Sequence, residues 1–304
     1  YVDDGYYDVT LTIYDSNGKN ATKTKQIYVR NIIPSPSFSI EPSQIMIVGK
    51  PVYFNSTVYE PDGYIVNYTW DFGDGSYAYT QNATHIYTKS GIYTVRLTVK
   101  DDDNAIGTKE KTIWVFDGFV DDDYPRDDPA NRRWRSIQNA IDYLGNNSMI
   151  YVYNGTYNES LTINKTIKLY GENNKGVIIS SDNVVIDVLS NGSIEIYNFT
   201  IKDGTTGIRA VNGRGGNIIG ECVFYTKEGI VFRNTSYNIV SKCALYNGDT
   251  GIGIENSQNN FVEGCIINGM DNGIYIGDSS WSNICNCSLK HNSNSIYLYN
   301  SDNN

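Results

Sequence analysis

Short Ile- and Val-rich runs separated by polar corners fill the second half of the chain, and they recur with a fixed period. Four consecutive segments of 22 residues start at Gly207, Gly229, Gly251 and Gly273, each opening Gly-Ile, and a fifth starts at Ser295. A period in this range signals one supersecondary unit stacked on copies of itself, because no unit buries its apolar face alone. The apolar runs are too short for helices and rich in β-branched residues, so they predict strands. Asn212, Asn234, Asn256, Asp278 and Asn300 fall at the same place in each unit. Asn and Asp accept left-handed backbone, so this place is a tight corner. Strands and corners of this length describe coils of a parallel β-helix, with equivalent side chains stacked about 4.8 Å apart. A leucine-rich repeat would need a Leu-x-x-Leu-x-Leu consensus, which the units lack.

Each unit carries one cysteine: Cys222, Cys243, Cys265 and Cys287. Free Cys behaves as a small buried apolar residue, so the four predict an inward column rather than a metal site. Cys222 comes one residue late in its unit, which predicts an extra residue around Gly213–Gly216. Cys285 and Cys287 share parity, so the reading places both on one side of a strand with no disulfide between them. Less regular coils extend upstream to about residue 149, for about seven or eight in all. Before them, Trp134, Ile137, Ile141 and Leu144 share one helical face, and Gly145 follows as a stop. A helix over about 134–144 would cap the open end of the first coil.

The first part of the chain has its own internal repeat. Residues 4–29 align without gaps to residues 90–115, an offset of 86. Tyr93, Val95, Leu97 and Val99 alternate as a half-buried antiparallel strand does. A unit of that length built of short strands predicts a β-sandwich.

Specific motifs sharpen both readings. YTWDFGDG (68–75), preceded by EPDG (60–63) and followed by HIYTKSGIYTVRLTVKD (85–101), resembles the PKD domain, an immunoglobulin-like sandwich. That resemblance implies a core role for Trp70 and a tight turn through Asp71, Phe72, Gly73, Asp74 and Gly75. FVDDDYP (119–125), SIQNAID (136–142), the run 150–173 and the Gly-Ile coils resemble right-handed parallel β-helices of the NosD/CASH type, which are abundant in secreted archaeal surface proteins. The fold class expected is therefore all-β: immunoglobulin-like sandwiches, then a right-handed parallel β-helix with an N-terminal capping helix. The expected division is the C-terminal part of one sandwich over 1–31, a complete sandwich over 32–116, and the N-terminal part of a β-helix over 117–304.

Charge and composition narrow the partners. With 24 Lys and Arg against 34 Asp and Glu the net charge is −10, which lacks the basic footprint of nucleic-acid binding. No apolar run is long enough to span a membrane. Asn-x-Ser/Thr sequons begin at Asn20, Asn55, Asn67, Asn82, Asn146, Asn154, Asn158, Asn164, Asn191, Asn198, Asn234 and Asn286, a density that fits a secreted glycoprotein. The acidic runs Asp101, Asp102, Asp103 and Asp121, Asp122, Asp123 are candidate Ca2+ ligands at domain junctions. No other cofactor is expected. The residue sets that polygalacturonase-like and pectate-lyase-like β-helices use are absent, so no catalytic residue is assigned.

These readings lead to an extracellular cell-surface protein with sandwich spacers and a rigid shaft, engaged in self-association, contact with other surface proteins or glycan contact. The alternative is a polysaccharide lyase or glycoside hydrolase with a carboxylate site on the β-helix or beyond it. A third class, a NosD-like accessory protein for a metal cofactor, would need exposed Cys, His or Met, and the chain has 2 His and 3 Met.

Overall fold

The computed structural model describes residues 4–42 and 45–304. Contacts divide the chain into two units, Tyr1–Val115 and Phe116–Asn304.

In the first unit, the alternating strand Gly91–Asp101 lies at the centre of a five-stranded sheet and pairs antiparallel with both of its neighbours. Its inward residues Val95, Leu97 and Val99 are fully buried. Facing it is a three-stranded sheet of Ser35–Glu41, Pro51–Tyr59 and Ala83–Ile86. Phe38, Phe54, Trp70, Phe72 and Tyr87 fill the space between. Trp70 anchors this core, with Phe38 edge-on at 5.1 Å and its Nε1 donating to Thr80 O at 3.0 Å. Ahead of the sandwich, Gly5–Tyr14 and Asn20–Val29 pair as a two-stranded hairpin. Val9, Leu11 and Ile13 there are 43%, 66% and 61% exposed, although they align with the buried residues 86 positions later. The pattern is the same in both places; only the second has a facing sheet.

The second unit is a parallel β-helix of seven three-stranded coils, from Ser148–Val152 to Asn294–Tyr299, preceded by the edge strands Gly118–Val120 and Arg133–Trp134. Its three sheets have nine, seven and seven strands. In-register pairing stacks like on like. One inward column runs Ile150, Leu169, Ile196, Ile219, Val240, Val262, Ile284, and another runs Ile186, Ile208, Ile230, Ile252, Ile274, Ile296. Each fully buried side chain of these columns contributes about 1.5–3 kcal/mol by leaving water.

The regular coils turn at recurring left-handed residues, of which the sequence pattern marks one set. After the third-sheet strand come Asn212, Asn234, Asn256, Asp278 and Asn300, with φ between 46° and 54°. After the first-sheet strand come Asn198, Glu221, Lys242, Gly264 and Asn286, and after the second come Asp203, Asn247, Gly269 and His291. Glu and Lys have no preference for this backbone. They are held in it because each corner N–H donates to the next coil, as Glu221 does to Ser241 O at 3.0 Å and Lys242 to Glu263 O at 2.8 Å. The extra residue of the first regular unit lies between Val211 and Ile218. Pairing runs Val211 to Arg233, an offset of 22, and then Ile218 to Ile239, an offset of 21. Gly215 sits there at φ 76°, where a Cβ would meet Ser236 O at 1.9 Å.

The capping helix differs from its expected extent. Helix α1 spans Ile137–Tyr143, and Trp134 lies in the strand before it. Ser136 is the N-cap, with extended backbone and an Oγ that accepts from Asn139 N, so the helix cannot begin earlier. Its stop is Leu144 in extended backbone rather than a left-handed Gly145. Both ends are clamped by the first coil. Glu159 accepts from Ile137 N at 2.8 Å and Gln138 N at 3.1 Å, and Lys165 Nζ donates to Ile141 O at 2.8 Å and Leu144 O at 2.9 Å. Opposite charges at the two ends also match the helix dipole. Ile137, Ala140, Ile141 and Leu144 join the core of the coils.

Candidate functional site

The WDFGDG segment forms a closed turn at the end of the strand Ile65–Asp71. Asp71 Oδ1 accepts from Gly73 N at 2.9 Å, and Asp74 Oδ1 accepts from Ser76 N at 3.0 Å. Gly73 has φ 80°, and a Cβ on it would meet Thr94 O at 2.7 Å, so the turn requires glycine. Asp74 Oδ2 lies 2.7 Å from His85 Nε2, and the His85 ring stacks on Phe72. Partial burial works to raise the Asp74 carboxyl, but the hydrogen bonds from Ser76 and His85 outweigh it and hold the group below its ordinary range. These carboxylates fasten the turn; their oxygens face neighbouring donors.

A second carboxylate group lies at the edge of the same sandwich, and the sequence reading named only part of it. Asp101 is 1% exposed; its Oδ1 accepts from Ala105 N at 2.6 Å and its Oδ2 from Asn31 Nδ2 at 3.1 Å. Asp62 is 8% exposed; its Oδ2 accepts from Ile32 N at 2.7 Å, and its Oδ1 is buried with no partner. Glu60 Oε2 is likewise buried without a partner. Burial, then the Asp62 carboxyl, push the Glu60 carboxyl above its usual range. Bare carboxylate oxygens turned away from water are costly unless a cation meets them. Asn31, Glu60, Asp62 and Asp101 carry oxygen donors of the type Ca2+ takes, but the three carboxylates do not bring their ligand atoms within 4.8 Å of one another as Asp121, Asp122 and Asp123 do. Asp102 is used differently, its Oδ1 accepting from Tyr64 N at 3.0 Å, and Asp103 is exposed. Glu60 and Asp62 sit in the EPDG motif, and the signal that would have found them is their return to Asp101 through the fold.

Asp121, Asp122 and Asp123 bring their carboxylate oxygens within 4.8 Å of one another. Asp121 accepts from Asp123 N, and Asp122 from Thr156 N, each at 3.0 Å. This group therefore ties the entry strand to the first coil.

Cys222, Cys243 and Cys265 form an inward column at 0%, 1% and 0% exposure, continued by the half-buried Cys287. Their thiols point at main-chain carbonyls, as Cys243 does at Ser241 O at 3.5 Å. Burial pushes the Cys243 thiol well up; for Cys265 the neighbouring Cys243 thiol and then burial do the same. Cys285 differs from the parity reading. It pairs with Glu263 on the outer face, while Cys287 follows Cys265 inward, because Asn286 between them turns the chain at φ 55°. Both are free thiols.

A polar column missed by sequence reasoning runs inside the coils. Asn217 Nδ2 donates to Asn238 Oδ1 and Asn238 Nδ2 to Asn260 Oδ1, each at 2.8 Å, and all three are at most 2% exposed. Beside it, Thr235 N, Ser257 N and Ser279 N each donate to the hydroxyl of the next coil. Spacings of 21 and 22 residues were the available signal.

Carboxylates on the outer face of the third sheet are matched locally. Asp187 pairs with Arg209 at 2.7 Å, Glu255 with Arg233 at 2.6 Å, and Glu228 accepts from Thr206 Oγ1 at 2.8 Å. Of the sequon asparagines, Asn55 and Asn198 are half-buried; Asn20, Asn67, Asn82, Asn146, Asn154, Asn158, Asn164, Asn191, Asn234 and Asn286 are exposed. Asn234 Nδ2 donates to Asn212 Oδ1 at 2.7 Å.

Residues 34–115 match the model of the PKD domain, and residues 176–304 match that of the right-handed β-helix region. The chain is a PKD domain followed by a right-handed β-helix. Collagenase ColQ1 of Bacillus cereus is 43% identical over 75 residues, 24% of this chain and 8% of the collagenase. Collagenase ColA of Clostridium perfringens is 35% identical over 112 residues, 36% of this chain and 9% of that protein. The PKD1 domain of the Vibrio cholerae metalloprotease PrtV is 37% identical, covering 28% of this chain and 98% of that domain, with a TM-score of 0.25. The chain thus spans less than a tenth of these two collagenases, and only its PKD part is shared with them. Among the described residues no helix is long and apolar enough to cross a membrane.

Proposed function

We propose that this chain belongs to an extracellular structural and adhesive protein, with the PKD domain as a spacer and the β-helix as a stiff shaft. The observation that supports this best is the unbroken stacking of the coils. Each inner coil pairs its backbone with two neighbours, and the aliphatic, Cys, Asn and Ser columns repeat that coupling inside. Opening one inner coil therefore disrupts two interfaces. The PKD relatives, parts of collagenases and proteases, support an extracellular setting. The test is incubation of the purified chain with neutral and acidic polysaccharides, with and without Ca2+, scoring retention and bond cleavage separately. Retention without cleavage is the expected result. New reducing ends or unsaturated products, lost on changing one carboxylate, would replace this reading with a polysaccharide-active enzyme.

The same reading includes Ca2+ drawn to Asp62 and Glu60, with Asn31 and Asp101 closing on the ion once it binds. Its support is the pair of buried, unpartnered oxygens on Asp62 and Glu60. At saturating Ca2+ the sandwich should gain about 2.7 kcal/mol at a hundredfold excess over Kd. Calorimetry should show its Tm rising with Ca2+ and falling with chelator, and Asp62→Asn should remove the response. A Tm indifferent to chelator would remove Ca2+ from the account.

A further inference from the structure

Tyr237 and Trp281 stand on one corner ridge of the β-helix, 66% and 61% exposed. Both have left-handed backbone, with φ 61° and 59°. Bulky side chains rarely take that conformation, and where they do the surroundings hold them there. Here the holding is visible. Tyr237 N donates to Gln258 O at 3.0 Å, and isolated bridges join Gln258 to Ser280 and Ser280 to Asp302.

The two aromatics share a repeat position with Asn259 and Asn303, at successive intervals of 22 residues. Asn259 and Asn303 have φ 55°, which suits Asn. On alternate coils, therefore, the residue this backbone favours is replaced by one it disfavours, with a large ring turned to solvent. Two coils separate the rings by about 9.6 Å along the axis. That is close to the disaccharide repeat of an extended glycan chain.

Several other exposed aromatics on the coils stack on their neighbours, as Tyr225 does on Tyr246 at 5.5 Å and Tyr275 on Tyr297 at 5.7 Å, so those faces are taken. Among the described residues no ring contact is made by Tyr237 or Trp281. The corner segments 235–238, 257–260, 279–283 and 301–304 carry hydroxyls and amides, and Asp302 is their one charged residue. Rings with an apolar face suit the C–H face of a sugar, and amides and hydroxyls suit its hydroxyls. Arg214, exposed in the equivalent corner segment 213–217 one coil before Tyr237, is the ridge's one cation, and the corner segments from Tyr237 onward add no Lys, Arg or His for a phosphate or a uronate. Because Asn259 separates the rings, they do not form the continuous apolar centre a protein partner needs.

We propose that this ridge binds a neutral polysaccharide lying along the helix axis, with sugar rings seated on Tyr237 and Trp281. The proposal rests on the adhesive half of the reading above, and its test separates the two. The whole chain is run on native gels containing a soluble β-glucan, a xylan, a galactomannan or a polyuronate. The variants are Tyr237→Asn, Trp281→Asn and both together, which keep a residue suited to left-handed backbone. Tyr225→Asn, exposed on the second sheet, is the control. At least one neutral polysaccharide should retard the native chain and the control. Each ridge substitution should weaken that affinity about tenfold, the loss of one stacked ring. Trp70 and Trp134 are buried and Trp114 is half-buried, so the quenchable fluorescence that Trp281→Asn removes is the component the same glycan should protect from a soluble quencher. Retardation that persists in the double variant, or by the polyuronate alone, overturns the ridge and leaves the adhesive reading standing. No retardation by any polysaccharide overturns both.

Discussion

Single side chains in this protein act through the neighbour that the fold supplies. Asp74 is held below its usual range by Ser76 and His85 despite partial burial. A carboxyl depressed in the folded state contributes stability above its unfolded pKa, about 3.9, and loses it as pH falls through the folded value. The stability gap between the native chain and Asp74→Asn should therefore close in acid below about pH 4, as thermal melts over pH would show. The thiols make a second case. Cys222, Cys243 and Cys265 should resist an aqueous thiol reagent in the native chain and react once denaturant opens the coils. Rapid native labelling of all three would contradict the inward column. Trp281 shows the limit of reading residues alone, since nothing in its sequence neighbourhood says that its ring is left uncovered.

At the scale of elements, caps and ladders decide what forms. Helix α1 has only seven residues, well below the length at which a helix persists alone in water. Its stability comes from its buried face and from the Glu159 and Lys165 clamps. Lys165→Met removes the charged donor from Ile141 O and Leu144 O and should cost about 1.5–3 kcal/mol. Denaturant melts would measure the loss, with hydrogen exchange accelerating first in the helix. In the Asn ladder, Asn238→Ala strands the main-chain N–H and the side-chain amide of Asn217 in the interior, while Asn260 Oδ1 keeps the N–H of residue 238. At about 1–3 kcal/mol for each stranded group, the expected destabilisation exceeds that of Asn212→Ala, whose side chain is exposed on the outer corner. Equal melts for the two variants would show that the inner ladder contributes nothing special.

For the whole molecule, one pattern has two outcomes depending on what faces it. Val95, Leu97 and Val99 are buried, whereas their repeat partners Val9, Leu11 and Ile13 are open to solvent. In the β-helix, cooperativity follows from the stacking of the coils, so destabilising changes at inner coils should spread beyond their own strand, while changes at the PKD turn remain within the sandwich.

The sequence by itself determined the all-β class, the PKD sandwich, the β-helix period and its Asn corners. Those features are local: alternation, a 22-residue recurrence and a glycine-bearing turn are each written within one segment. Tertiary structure decided everything that joins distant residues. It placed Glu60 and Asp62 beside Asp101, and Glu159 and Lys165 at the two ends of α1. It forced Glu221 and Lys242 into left-handed corners and turned Cys285 outward while Cys287 points in. Each of these depends on hydrogen bonds or burial supplied by another coil or strand, which no property of the residue itself records.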